Sequence, residues 1–271
     1  MNTMNRTKMY GIMFLISFIM SFYILHYCLP KASEFVDTEP IYCVMITGKN
    51  DSREKFAEIA VENFKLQSYT NKKLVIINES SSPLDVGDDN VIEIIVKPKD
   101  RKNLTLGDLR NMAFEYIPED AIWTTWDDDD WRSVNYLQYL YDKLKNNDYV
   151  FFTRRIEHNF NTNFTWIMEL KTGFVIMFGR KKSFAKYDRK EFNEDILLKK
   201  TITKHLRYLV ISNDPKIYIR FTHKDNTSTL VKTTKTSLKD TVSNKVYFES
   251  PVTGLQQLYV DNIVRTRYSD L

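Results

Sequence analysis

Four carboxylates stand in a row at Asp127, Asp128, Asp129 and Asp130, between Trp126 and Trp131. In an extended segment the side chains at i and i+2 point the same way, so Asp127 and Asp129 share one side. Each carboxylate raises the pKa of its neighbours, so the run needs relief for its charge. A hard divalent cation with oxygen ligands supplies that relief. Water at the start of a following helix, where the dipole favours acids, supplies it equally well. A second acidic pair, Glu194-Asp195, follows Asn193. Acids in a first helical turn behind an Asn cap account for that pair without any chemistry.

Composition narrows the classes. The chain has 271 residues, enough for one sizeable core and a small appendage, and 43% of them are hydrophobic. The formal net charge is +4 with Lys and Arg spread along the chain, so charge does not point to a nucleic-acid partner. Cys28 lies in an apolar run and Cys43 in an expected strand, and no pairing is expected. His26, His158, His205 and His223 are scattered, without the spacing of a Cys/His metal site.

The elements that must position the acids follow from hydrophobic patterning. Residues 1–8 are polar, and Met9 to Leu29 is apolar apart from Ser17, Ser21 and His26. That length suits a membrane-crossing helix, and the run ends without a small-residue cleavage site. Arg6 and Lys8 precede it and Glu34, Asp37 and Glu39 follow, which leaves the N-terminus cytoplasmic and the bulk of the chain on the far side. After a short stem (30–40), strands are expected at 41–46, 74–77 and 91–96 and in the run ending at Trp126. Helices are expected behind Asp51 and Glu54, behind Thr105 and Asp108, and around Leu137 to Leu144. Such alternation means an α/β domain with a mainly parallel sheet, and ligands bind beyond the carboxyl ends of its strands. Loops 47–50, 78–82 and 127–131 all lie there. Further strands are expected at 149–152, 174–178 and 217–221, and a helix from Asn193 to Leu206. Residues 231–271 carry no clear pattern.

Taken in order, these residues resemble family 2 glycosyltransferases of the GT-A fold, from about Ile41 to about Ser228. The resemblance rests on Thr47-Gly48-Lys49-Asn50-Asp51, Gln67-Ser68-Tyr69, the strand end at Asn78-Glu79, and Arg110-Asn111. It rests also on Asp127 to Trp131 as a DXD-type motif, on Glu194-Asp195, and on Tyr218-Ile219-Arg220 with His223. The family's paired acids after the second strand are Asn78-Glu79 here, which leaves the donor's base open.

The resemblance implies a Rossmann-like GT-A domain (41–230) with helices on both faces, behind one transmembrane helix. It implies transfer of a sugar from a nucleotide-sugar donor to a glycan, protein or lipid acceptor. Asp129 and Asp127 would bind a divalent cation, Mn²⁺ or Mg²⁺, with Asp128 beside them on the donor and Asp130 capping the next helix. Thr47, Asn50, Asn78 and Glu79 would line the nucleotide pocket, with Arg110 and Asn111 nearby and Arg220 and His223 on the diphosphate. Asp195 would be the general base, with Glu194 beside it. The Gln-x-x-Arg-Trp motif of processive members is absent, so a single transfer is expected, and the resemblance implies that it inverts the anomeric centre. An inactive GT-A-like protein that binds sugar or acts as a membrane scaffold is the alternative. A phosphoryl or nucleotidyl transferase would also use the aspartates, but no glycine-rich phosphate loop is present. Far-side placement needs nucleotide sugar there, which points to the Golgi or endoplasmic reticulum of a eukaryotic cell or of a virus's host. Asn78, Asn103, Asn163 and Asn226 stand in Asn-x-Ser/Thr sites.

Overall fold

The computed structural model describes residues 39–48, 52–223, 247–252 and 254–268. The expected membrane helix at 9–29, nearly all of the stem, Asn50, Asp51, Asn226 and Ser228 lie outside them. Among the described residues no helix is long and apolar enough to cross a membrane.

The central sheet has seven strands. They are β1 (Ile41–Thr47), β2 (Lys72–Asn78), β3 (Val91–Ile95), β4 (Ile122–Thr125), β6 (Tyr149–Phe152), β9 (Phe178–Arg180) and β10 (Tyr208–Ile211), in the order β10-β6-β9-β4-β1-β2-β3. β1 runs parallel to β2 and β4, β2 to β3, and β10 to β6. β9 is antiparallel to both of its neighbours, so the sheet is mixed. The expected strand at 174–178 survives only as its last residue, the first of β9.

Helices cover both faces, and the strands are apolar on both sides for that reason. In β1, Ile41, Cys43 and Met45 enter the layer beneath α1 (Ser52–Lys65) and α4 (Tyr136–Leu144), while Tyr42 and Val44 enter the opposite one. That second layer lies under α3 (Leu106–Phe114) and α5 (Glu194–His205). α1 buries Phe56, Ala57, Ala60, Val61 and Phe64, one stripe of a 3.6-residue period. α3 starts on the expected capping box of Thr105 and Asp108. A single turn, α2 (Pro98–Arg101), precedes it. α5 starts differently from expectation. Asn193 enters it in the left-handed region at φ 65° and its side chain caps nothing, while Asp195 Oδ1 accepts from the next amide, Ile196, at 2.7 Å.

Of a second sheet only the strand at 217–221 was expected. The sheet comprises β5 (Asp130–Arg132), β7 (Arg154–Asn159), β8 (Phe164–Leu170), β11 (Tyr218–Thr222) and β12 (Tyr247–Pro251), in the order β12-β8-β7-β11-β5. β7 carries Arg-Arg-Ile-Glu-His-Asn, too polar to read as a strand, and Asn159 Oδ1 closes its turn by accepting from Asn161 and Thr162. Helix α6 (Leu255–Arg267) packs on this sheet within the stretch that showed no pattern. In β11, Ile219 and Phe221 are buried, but so are Tyr218 and Thr222, so the strand is covered on both faces and not on one.

The end of α1 ties the two sheets together. Asn63 Nδ2 donates to the Arg132 carbonyl at 2.7 Å and its Oδ1 accepts from the Arg132 amide at 3.1 Å. Gln67 Nε2 donates to the Ser133 carbonyl at 2.9 Å, and its Oε1 accepts from the Leu137 amide at 3.2 Å. Buried backbone groups left without partners are costly. Gln67→Ala is therefore expected to lower the unfolding free energy by about 1–3 kcal/mol, measured by denaturant titration, because the Leu137 amide loses its partner, while the Ser133 carbonyl still accepts from the Tyr136 amide at 3.0 Å.

Candidate active site

The registers Thr47↔Asn78 and Val44↔Thr125 bring the carboxyl ends of β1, β2 and β4 to one rim. Gly48 leaves β1 at φ 90°. A Cβ there would stand 2.2 Å from Asn78 Oδ1 and 2.6 Å from the Ser80 nitrogen, so only glycine lets the two loops meet. Asn78 is buried and fully engaged. Its Oδ1 accepts from the Ser80 amide at 2.8 Å, and its Nδ2 donates to the Ser82 carbonyl at 2.9 Å and to Glu93 at 2.7 Å. Glu79 pairs with Arg101, which also reaches Glu191 at 3.3 Å. In the protein as described, both residues are occupied in shaping this loop.

The aspartates fill the connection from β4 to β5, pinned from below. Trp126 Nε1 donates to the Ala60 carbonyl at 3.0 Å. The buried Arg132 guanidinium lies 4.3 Å from the Trp126 ring and donates to the carbonyls of Thr125 and Asp127 at 3.3 Å and of Asp130 at 3.4 Å. The four carboxylates then separate in role. Asp127 is the most open, 42% exposed, with Arg110 at 3.5 Å. Asp128 is buried, accepts from Thr47 Oγ1 at 2.7 Å, and takes two donors of Arg53. Asp129 accepts from a third Arg53 donor at 3.0 Å and faces His223 Nε2 at 3.2 Å. Asp130 does not cap a helix. It opens β5 and accepts from the Tyr218 hydroxyl and from the Phe221 amide at 3.2 Å, while α4 begins six residues later at Tyr136. The extended backbone at Asp130 turns it inward to β11, where a cap was expected.

Burial and neighbouring charge push these groups apart. Burial and the charges of Asp129 and Asp127 raise Asp130 to about 8, against Arg132 and Arg220. Burial and the Asp129 charge also raise Asp128, against Arg53 and Thr47. Burial would raise Asp129 too, but the His223 hydrogen bond and the Arg53 and His223 charges outweigh it and hold this carboxyl at about 2.

Across the rim, Arg110 on α3 joins the aspartates to the second acid pair. It lies 2.5 Å from Glu194 and 3.5 Å from Asp127, with its guanidinium 5.2 Å from the Tyr187 ring. Asn111 grips the Tyr187 backbone at both ends, donating to its carbonyl at 2.8 Å and accepting from its amide at 3.0 Å. Burial raises both Glu194 and Asp195, against the pull of Arg110. On the second sheet Arg220 stands opposite Asp130 in register and 3.8 Å from Glu157. His223 stacks on Phe56 with ring centroids 4.6 Å apart.

The structure thus gathers Thr47, Arg110, Asp127 to Asp129, Glu194, Asp195, Arg220 and His223 at one rim. Asn78, Glu79 and Asn111 hold its walls. Two groups escaped the sequence reading. Arg53 sits in the first turn of α1, where a cation opposes the helix dipole, and that misfit was its available signal. Arg132 carried no signal beyond its place after Trp131.

Mainly parallel strands with an acidic connection at their carboxyl rim, a second sheet closing over it and an acid-led helix beside it define a GT-A-like α/β fold. The sequence matches the model of glycosyl transferase family 2 over residues 43–208, and the chain belongs to that family. Among solved structures, S. aureus TarS 1–349 in complex with UDP shares 14% identity at a TM-score of 0.53, over 68% of this chain and 60% of that one. A longer S. aureus TarS structure shares 12% at 0.52, over 68% of this chain and 37% of that one. A Pyrobaculum calidifontis mannosyltransferase in complex with GDP-Man and Mn²⁺ shares 11% at 0.47, over 68% and 57%. At such identities the likeness to the two TarS structures concerns the fold, and this chain spans about 60% or less of each of these proteins. No curated protein matches the sequence.

Among the described residues no three acids or imidazoles converge as a ready-made cation cage. Asp128 and Asp129 lie in a turn and not in the extended segment expected, so Asp127 faces Arg110 while Asp129 faces Arg53 and His223. Arg53 is the counter-charge of the pair at Asp128 and Asp129, and losing one partner of a buried pair typically costs about 3–5 kcal/mol. Arg53→Met is expected to cost roughly 3 kcal/mol at neutral pH, read from chemical unfolding. Asp129's folded pKa is depressed, so its contribution is present above its ordinary value of 3.8 and is lost as pH falls through about 2. The deficit of the variant should shrink across that window.

Proposed function

We propose that the protein transfers one sugar from a nucleotide-diphosphate sugar to an acceptor hydroxyl, with inversion and without processive extension. The observation that carries this reading is the Arg110 bridge, which sets the Glu194-Asp195 helix start against Asp127. A donor-side acid segment and a base-side acid pair then flank one space.

The acceptor hydroxyl needs a base as it attacks. Asp195 takes that proton, and its raised pKa suits the task better than an ordinary carboxylate would. Glu194, held by Arg110, orients the helix start. The acceptor oxygen bonds to the anomeric carbon from the face opposite the leaving group, and the bond from that carbon to the diphosphate breaks. One such displacement inverts the centre and needs no covalent sugar–enzyme intermediate. Arg220 and His223 supply positive charge to the departing diphosphate. A divalent cation, Mn²⁺ or Mg²⁺, at Asp127 and Asp129 would neutralise charge developing there. The absence of a Gln-x-x-Arg-Trp motif supports single transfer.

A panel of nucleotide sugars tests the reading, with release of the nucleoside diphosphate as the signal. Turnover of none of them favours the sugar-binding or scaffold role. Asp195→Asn is expected to keep donor affinity within a few-fold and to reduce transfer by about 10²–10⁴-fold, the range for a lost general base. Asp129→Ala should remove metal-dependent donor binding; an unchanged metal requirement would overturn the ligand assignment.

We propose also that residues 9–29 anchor the chain as a single-pass, type II membrane protein of the Golgi or endoplasmic reticulum, with the catalytic domain on the far side. Asn103 and Asn163 are exposed, whereas Asn78 is buried and hydrogen-bonded, so a glycan at Asn78 is not expected. Expression in eukaryotic cells should give a glycosidase-sensitive mass shift that Asn103→Gln with Asn163→Gln reduces. A chain with no shift, digested by protease on intact membranes, would contradict this placement.

A further inference from the structure

The family match ends at residue 208, and α6 lies well beyond it. This helix places two aromatic groups against the rim. Tyr268, buried just past its last turn, has its ring centroid 6.3 Å from Phe56 and 4.6 Å from Phe221. Phe56 in turn stacks on His223 at 4.6 Å and 22°, and His223 Nε2 is 3.2 Å from Asp129 Oδ2. Tyr259, half-buried, meets the edge of Trp131 at 5.6 Å, and its hydroxyl donates to the Lys216 carbonyl at 3.4 Å. Trp131 follows Asp130 in β5 and pairs with Ile219 in β11. Nine residues separate the two tyrosines, which is about 13 Å along a helix axis. One helix with its closing Tyr268 therefore touches both β5, which opens at Asp130 and ends the aspartate connection, and the ring behind His223.

We infer that α6 is a clamp on the transfer site. Tyr259 and Tyr268 are positioning residues that fix β5, at the end of the aspartate connection, and the His223 ring relative to each other. The inference rests on the reading above, in which Asp129 and His223 face the donor's diphosphate. The Tyr268 ring does the work by contact, so its hydroxyl is dispensable. Supporting groups around a charged site typically change affinity by about 10–100-fold when lost.

The test uses the full chain with isotope-labelled histidine at one fixed pH. The His223 ring-proton signals, identified by their loss in His223→Gln, sense the stacked Phe56 ring. In Tyr268→Leu these signals should move, and affinity for Mn²⁺ with inorganic pyrophosphate, measured by calorimetry, should fall by roughly tenfold. Tyr268→Phe should restore both. A folded Tyr268→Leu protein with wild-type His223 signals and affinity overturns the clamp. Should Tyr268→Leu fail to fold, Tyr259→Ala decides: a fall in pyrophosphate affinity supports the clamp and wild-type affinity overturns it. If wild-type protein binds no pyrophosphate while Tyr268→Leu still displaces the His223 signals, the clamp stands and the donor-site reading falls.

Discussion

Three carboxylates, Asp128 to Asp130, are buried side by side, and much of the surrounding structure answers their charge. Burying an uncompensated carboxylate is costly, so each needs its own solution. Asp128 and Asp129 share one guanidinium from the first turn of α1. Asp129 also has an imidazole from the end of β11, and Asp130 turns away to a tyrosine hydroxyl and a backbone amide, with burial favouring its neutral form. Arg132 adds a buried positive charge beneath the connection and holds its carbonyls. These partners come from β1, α1, β5 and β11, so the segment acts as a knot between the two sheets. Asp127, left outside the knot, is the carboxylate freest to meet a ligand.

Five of the seven central strands were legible because both faces of the sheet are covered, whereas β10 was not expected and β9 only at Phe178. Runs such as Leu74 to Ile77 are apolar without interruption, and the Thr105–Asp108 cap announces a helix from two residues alone. Of the second sheet only the alternation at 217–221 was legible, because a strand such as β7 carries charged residues where an apolar pattern would mark it. Arg155 and Glu157 satisfy each other within β7, and Glu157 also lies near Arg220. Such pairing leaves no local apolar pattern in β7.

The site divides along the same line. Its acidic members could be read because each sits where a strand ends or a helix begins, positions that turn and cap chemistry mark. Arg110-Asn111 was found as a pair, but the different tasks of the two, bridging acids and gripping the Tyr187 backbone, depend on what α3 faces. Arg53 and Phe56 precede the buried stripe of α1 or belong to it, and nothing in a periodic apolar pattern separates the residue stacked on His223 from an ordinary core residue.

The antiparallel pairing of β5 with β11 sets Tyr218 opposite Arg132, Ile219 opposite Trp131 and Arg220 opposite Asp130. Side chains alternate along a strand, so a shift of one residue sends every group to the other face. The placing of Arg220 and Asp130 at this rim is thus encoded as a count of residues, held by hydrogen bonds between two short strands. Variation in this chain is free to change loop shape between Arg132 and Tyr218, but a single inserted or deleted residue inside either strand would place Arg220 or Asp130 in the apolar layer. The ladder works as a parity check on the site, rejecting frame changes that substitution alone would pass.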